Sequence, residues 1–180
     1  MWQGGLPEDQ INLILKEGMA LAKIKATTFN NNSDVRSSQV SWLTGHQEIQ
    51  KILWNYVTAA NEDAFNVRLD KGHDAGVCEM QFTEYHASES GHYDWHHDVN
   101  FANDSGLDRK LSITVQLTDP SEYQGGEFLL GDVEEPPDPI AIKTKGTVFI
   151  FPSYLQHTVR PVTFGTRRTL VAWFEGPQWQ

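Results

Sequence analysis

A single cysteine, Cys78, stands among 180 residues, so no intramolecular disulfide and no zinc site built from several thiolates can form. A cystine-stapled secreted scaffold is excluded, and a reducing compartment is expected. No window approaches the run of about 18 apolar residues that a membrane helix needs. The first ten residues, MWQGGLPEDQ, hold neither a basic region nor a continuous apolar stretch. These absences lead to the expectation of a cytoplasmic, unanchored protein. Positive charge is scarce as well. Lys and Arg total 14 against 24 Asp and Glu, a net charge of -10 that repels phosphate backbones and anionic lipid surfaces, and no basic run offsets it locally. Neither nucleic acid nor membrane is expected as a partner. Internal repeats, low-complexity tracts and interdomain linkers are missing too.

What is present is an ordinary globular composition, 39% hydrophobic and 21% charged. A chain of this length buries roughly 70% of its unfolded surface, enough for one substantial core. One domain over residues 1–180 is expected, with helical support over 6–62 and a β core over about 65–175. From Pro7, the residues Ile11, Ile14, Leu15, Gly18, Met19 and Ala22 recur at helical spacing. A second stripe of Ile49, Ile52, Leu53, Tyr56, Val57 and Ala60 follows Thr44-Gly-His-Gln47, which reads as a capping box with His46 solvated at the helix start.

After Asp63 the texture changes to short β-rich runs separated by Gly, Pro, Asn and Asp. Strands are expected at 65–69, 77–85, 93–98, 111–118, 127–130, 140–142, 147–151, 158–162 and 168–174. Alternation is clearest where Leu111, Ile113, Val115 and Leu117 share one face while Ser112, Thr114, Gln116 and Thr118 share the other. One face is core and the other is polar or lines a pocket. Cys78 alternates with Met80 and Phe82 and reads as core. Residues 100–108 read as a polar loop and 132–139 as an acidic, proline-rich connection. The number of such runs predicts a sandwich or barrel preceded by two helices.

Five of the seven histidines fall between His73 and His97, densest in Gly91-His-Tyr-Asp-Trp-His-His-Asp98. In an extended strand His96 and Asp98 project to one side and can grip a single ion. His157, after the apolar strand that ends at Phe151 and the Pro152-Ser153 turn, is the candidate third ligand. Two imidazoles and one carboxylate fill one face of an octahedron and leave the rest open, the set that non-haem Fe(II) uses. Ten residues past His157 comes Arg167, set within a strand. Arg167, Thr169, Val171 and Trp173 share one face, and Arg168, Leu170, Ala172 and Phe174 the other; periodicity does not say which is inward. An inward Arg167 could hold the far carboxylate of an oxo-diacid through two parallel hydrogen bonds, or simply pair with a neighbouring Glu or Asp. His92 and His96 at i and i+4 lack the adjacent Glu of a zinc hydrolase. His92 with Asp94 ranks below His96 with Asp98. His73, His86 and His97 read as loop, surface or supporting residues.

These pieces together resemble the Fe(II)/2-oxoglutarate-dependent dioxygenases, specifically the prolyl 4-hydroxylase-like family. The resemblance spans Val35 to Trp173 through VRSSQVSWL, Tyr85, Gly91-x-Tyr93-x-x-His96-x-Asp98, LSITVQL, Tyr123-x-Gly-Gly-Glu-Phe128, Gly146-x4-Phe151-Pro-Ser153, His157 and Pro161-Val-Thr-x-Gly-x-Arg167. It implies a mainly β (α+β) fold, a double-stranded β-helix or jelly roll with supporting N-terminal helices. It implies iron ligands His96, Asp98 and His157, with Arg167 binding the C5 carboxylate of 2-oxoglutarate and Tyr85 as a further contact to that co-substrate. Fe(II), 2-oxoglutarate and O2 are the implied cofactor and co-substrates, with ascorbate as a candidate reductant. The implied reaction is hydroxylation with release of succinate and CO2. Asp98 favours hydroxylation over halogenation, since halogenating relatives replace this carboxylate. Peptidyl proline in a peptide or protein is the leading substrate, with other residues or small molecules as alternatives. A non-catalytic jelly-roll binding module is the non-enzyme alternative. Trp95 and the 100–108 loop flank the expected mouth. Gly125-Gly126 reads as a hairpin turn without chemistry, and oligomeric state is left open.

Overall fold

Two amphipathic helices open the chain, and their apolar stripes determine how they dock. The structure, a computed structural model, describes residues 1–26, 34–70, 77–99, 104, 106–131 and 133–179. Helix α1 (Glu8–Ala20) carries Glu8 and Asp9 in its first turn, where acidic groups complement the helix dipole, and buries Ile11, Ile14 and Gly18. Met19, on the predicted apolar stripe, is instead exposed. Helix α2 (Gln47–Ala60) buries Ile49, Leu53, Val57 and Ala60 along one face. Gly18 is required by contact: a Cβ there would stand 2.4 Å from the ring of Phe82, itself buried and unable to move aside.

The strands are β1 (Ile24–Lys25), β2 (Arg36–Ser37), β3 (Gln39–Trp42), β4 (Val77–His86), β5 (His92–His96), β6 (Leu107–Gln116), β7 (Tyr123–Gly125), β8 (Phe128–Leu130), β9 (Val148–Pro152), β10 (His157–Val159) and β11 (Val162–Pro177). They form two sheets, ordered β1-β3-β4-β11-β6-β9 with β7 also on β11, and β2-β5-β10-β8. All of the registered strand pairs are antiparallel. This is the predicted double-stranded β-helix with supporting helices.

The alternation in β6 divides the interior. Leu111, Ile113 and Val115 join Ile14, Leu53, Val57 and Phe82 in a core between the helices and the larger sheet. A second core of Tyr85, Phe128, Ile142, Phe149, Phe151, Val159 and Val162 lies toward the smaller sheet. Ser112, Thr114 and Gln116 are buried on the opposite face of β6.

Several local expectations fail for identifiable reasons. Residues 65–69 form no strand: α2 runs on into a π turn (Asn61–Phe65), and the Asn61 amide brackets the backbone N–H and C=O of Val67 at 2.9 Å each, taking the groups that a ladder would use. Residues 140–142 lie in a short helix, α3 (Pro139–Lys143), because Asp138 caps the Ile140 N–H at 2.9 Å and Pro139 fixes the first turn. The capping box at Thr44 does not form; the N-cap is His46, which makes no side-chain cap bond, and Thr44 lies in the preceding turn with Gly45 at φ 81°. Residues 158–162 split into β10 and β11 around Arg160-Pro161. His73, the Cys78 side chain and most of the 100–108 loop lie outside the described residues.

One buried charge ties the outer layer together. Glu84 is 1% exposed on β4 and pairs with Lys23, just beyond α1, and with Arg168 on β11 at 2.8 Å. Burial alone would raise its carboxyl pKa, but the two cations outweigh burial and hold it below the usual range. A carboxyl depressed in the folded state contributes stability that is complete above its unfolded value of 4.5 and lost as pH falls through the lower folded value. Urea unfolding followed from pH 6 down to pH 3 should therefore show a steeper loss of stability in the native protein than in Glu84→Gln.

Candidate metal centre and adjoining cavity

His96 is the last residue of β5 and His157 the first of β10, and the register places them directly opposite each other. Asp98 does not continue the strand as predicted. β5 stops at His96, and Asp98 sits in a bend whose backbone N–H donates to the Ser153 carbonyl at 2.9 Å. The bend, rather than strand periodicity, turns its carboxylate toward the two imidazoles. One ligating atom from each of His96, Asp98 and His157 lies within 4.8 Å of the others.

Each imidazole is fixed by its own chain. Nδ1 of His96 is 2.7 Å from the Asp94 carbonyl, and Nδ1 of His157 is 3.0 Å from the Leu155 carbonyl. A carbonyl only accepts, so both Nδ1 atoms carry a hydrogen, which leaves Nε2 as the ligating nitrogen of each ring when it is neutral. These Nε2 atoms lie 3.8 Å and 3.6 Å from the two Asp98 carboxylate oxygens. Burial, then the neighbouring His157, push the His96 pKa down to about 3, against the opposing pull of Asp98. His96 is thus neutral at physiological pH, as a metal ligand must be. Burial would raise the Asp98 carboxyl, but His157 and His96, then hydrogen bonds from Ser112 and Trp173, hold it below its ordinary range. The Ser112 hydroxyl donates to Asp98 Oδ2 at 2.7 Å and lies 2.9 Å from the Ser153 hydroxyl. Two imidazole nitrogens and a carboxylate oxygen, each oriented by a further hydrogen bond, fit a six-coordinate ferrous ion with open positions.

A small, partly open cavity is lined by Thr114, Gln116, Phe128, Ile142, Thr147, Phe149 and Arg167. Phe128 also lies 5.6 Å from the His157 ring, so it walls both the cavity and the histidine cluster. Parity now selects between the arginines. Arg167 is 5% exposed, opposite Tyr85 in the register of β11 with β4, with its guanidinium carbon 5.6 Å from the Tyr85 ring. Arg168 points the other way, to Glu84. Among the described residues no carboxylate pairs with Arg167, so the predicted alternative of a structural salt bridge is not realised.

Three other histidines are occupied elsewhere. His92 reaches the Ser90 and Asp34 carbonyls, Asp94 is exposed, His86 meets the Thr166 hydroxyl, and His46 lies 3.8 Å from Glu17. Trp95 is 42% exposed. The Gly125-Gly126 pair is not a simple hairpin, because the chain passes there from β7 in one sheet to β8 in the other. Gly126, at φ 63°, leaves space for Arg167: a Cβ would stand 2.9 Å from the Arg167 Cδ. Sequence gave no signal for that contact, since the glycine and the arginine meet only across the fold.

A jelly roll that gathers His-x-Asp and a distal histidine, next to a buried arginine that no described carboxylate pairs with, has the architecture of a mononuclear iron oxygenase. The pattern of the 2OG-Fe(II) oxygenase superfamily matches residues 80–175, and the chain belongs to that family. Fe(II), 2-oxoglutarate and O2 are accordingly its cofactor and co-substrates. A PKHD-type hydroxylase of Synechococcus sp. (strain CC9311) is 29% identical over 130 residues, covering 72% of this chain and 52% of that protein. The chain thus spans about half the length of the curated relatives it matches. Among solved structures, a viral collagen prolyl hydroxylase of Paramecium Bursaria Chlorella virus-1, in complex with 2OG, superposes with a TM-score of 0.71 at 17% identity, covering 97% of this chain and 94% of that one. A Pseudomonas putida prolyl-4-hydroxylase gives 0.66 at 21% identity, covering 97% and 91%.

Gly126→Ala is expected to displace the Arg167 stem while leaving the three-residue metal cluster intact. Its apparent affinity for 2-oxoglutarate should fall by about tenfold, equivalent to about 1.4 kcal/mol, with metal affinity unchanged by titration.

Proposed function

We propose that residues 1–180 form one Fe(II)- and 2-oxoglutarate-dependent hydroxylase domain, with His96, Asp98 and His157 as iron ligands and peptidyl proline as substrate. The observation that carries this reading is a buried guanidinium without a carboxylate partner among the described residues, in a cavity that shares the Phe128 wall with the histidine cluster. Burying a cation is costly unless another group compensates it, and a dicarboxylate whose other end reaches the metal would do so for Arg167. Arg167 would hold the C5 carboxylate through paired charge-assisted hydrogen bonds, with the Thr114 hydroxyl alongside and Tyr85 supporting the guanidinium from the opposite strand. When bound, Fe(II) supplies the redox chemistry that couples oxidative decarboxylation of 2-oxoglutarate, giving succinate and CO2, to hydroxylation of a C–H bond. The protein's share is orientation. Hydrogen bonds fix both imidazole tautomers and the Asp98 carboxylate, and Phe128, Ile142 and Phe149 keep the cavity wall apolar.

The proline assignment is supported by the two structural relatives, described as prolyl hydroxylases, and by the resemblance of the sequence motifs to that family. Incubating the protein with Fe(II), 2-oxoglutarate and a library of proline-containing peptides should give succinate together with a one-oxygen mass gain on proline. Peptide-independent succinate formation that is stimulated only by free amino acids or other small molecules would overturn the proline assignment and leave the cofactor chemistry standing.

A further inference from the structure

A cation–aromatic stack behind His96 is not accounted for by the ligand set or the cavity. Tyr93 lies three residues before His96, a separation that in a regular strand sends the two side chains to opposite faces. Here β5 carries one extra residue against β10: His157 faces His96 and Val159 faces Tyr93, so two steps on one strand match three on the other. Such a bulge resets the facing of the side chains beyond it. As a result the Tyr93 and His96 rings stack at 3.4 Å between centroids with only 13° between their planes. On the far side β2 sets Arg36 directly opposite Tyr93, with its guanidinium carbon 4.5 Å from the ring centroid.

Arg36 is itself immobilised. It is 9% exposed, its Nε donates to the Ser38 hydroxyl at 2.9 Å, and its Nη2 donates to the Gln81 amide oxygen at 2.7 Å. Both acceptors are neutral. A buried guanidinium with neutral acceptors is costly unless another group compensates, and the face of Tyr93 is the compensating group. The layers therefore run from Gln81 and Ser38 through Arg36 and Tyr93 to the imidazole. The hydrogen bond from Nδ1 to the Asp94 carbonyl fixes the edge of the His96 ring but still allows it to tilt about that bond. A parallel ring at stacking distance removes this freedom.

We propose that Arg36 and Tyr93 are positioning residues that hold the His96 imidazole in its metal-binding plane before the ion arrives. The inference rests on the reading of His96 as an iron ligand. Groups that orient a ligand without touching the metal typically contribute about 10–100-fold in metal affinity, and that is the range expected here.

The test uses the whole chain, with Mn(II) as a redox-inert probe titrated calorimetrically and anaerobic Fe(II) with 2-oxoglutarate followed by visible absorption. Tyr93→Leu and Arg36→Met should weaken Mn(II) binding by about 10–100-fold and shift or broaden the charge-transfer band. Tyr93→Phe, which keeps the stacked ring, should restore both. A role in packing alone would lower thermal stability without moving the band or the Mn(II) affinity of protein that remains folded. If the variants match the native protein in affinity and band, the positioning role is overturned while the ligand assignment stands. If the native protein itself gives neither Mn(II) binding nor a band, the ligand reading fails first.

Discussion

Replacing His157 by alanine is expected to abolish succinate formation and to weaken Fe(II) or Mn(II) binding by more than about 100-fold. That bound follows because groups that merely orient a ligand already contribute about 10–100-fold, and on the proposed reading His157 supplies one of three donor atoms. The loss should be specific to the site. His157 begins a short strand whose backbone pairs with both β5 and β8, and alanine keeps those hydrogen bonds. Its ring does touch Phe151 at 4.8 Å and Phe128 at 5.6 Å, so a modest loss of stability accompanies the truncation. Circular dichroism and a thermal melt separate the two effects. A folded variant that retains native metal affinity would remove His157 from the ligand set. His96→Ala should lose succinate formation in the same way, because the two imidazoles play equivalent parts.

Arg167→Ala should have the second largest effect, and of a different kind. Metal affinity in the absence of co-substrate should stay within about threefold of native, a difference of less than about 1 kcal/mol, because Arg167 belongs to the cavity rather than to the cluster. The 2-oxoglutarate concentration needed for half-saturation should rise by about 100-fold or more. Hydrogen bonds to a charged group contribute about 1.5–3 kcal/mol each, and a paired carboxylate loses two of them. Arg167→Lys keeps the charge without the fork and should fall between the two. Steady-state succinate formation against 2-oxoglutarate concentration, with metal saturating, provides the measurement. An unchanged half-saturation in Arg167→Ala would mean that the cavity holds something else.

Much of this architecture was legible because it rests on local periodicity. The alternation in β6 sent Leu111, Ile113 and Val115 to one core and Ser112, Thr114 and Gln116 to the other face, as predicted. In the predicted apolar stripe of α2, Ile49, Leu53, Val57 and Ala60 are buried, with Ile52 and Tyr56 half-buried beside them. The convergence of His96, Asp98, His157 and Arg167 toward one region followed from motif spacing rather than from periodicity. Part of what the sequence concealed depends on partners distant along the chain. The β5 bulge that brings Tyr93 onto His96 exists only against β10. The fit of Gly126 against Arg167 arises where the chain passes between sheets. Asn61 competes with strand formation at Val67 through its side-chain amide, and Asp138 draws an apolar trio into a helix, so local capping prevailed over β propensity at 65–69 and 140–142. Asp98 reached the cluster by a bend, although strand parity had predicted the same meeting.

On the proposed reading, His96, Asp98 and His157 together bind Fe(II) while Arg167 holds a 2-oxo acid chelated to it. Anaerobic titration of the metal-free protein with Fe(II) and 2-oxoglutarate, followed in the visible range, tests this most directly and needs no knowledge of the substrate. A charge-transfer band is expected that requires both additions, is absent from His157→Ala, and needs far more 2-oxoglutarate in Arg167→Ala. Folded protein that binds Fe(II) yet forms no band at saturating 2-oxoglutarate would contradict this assignment.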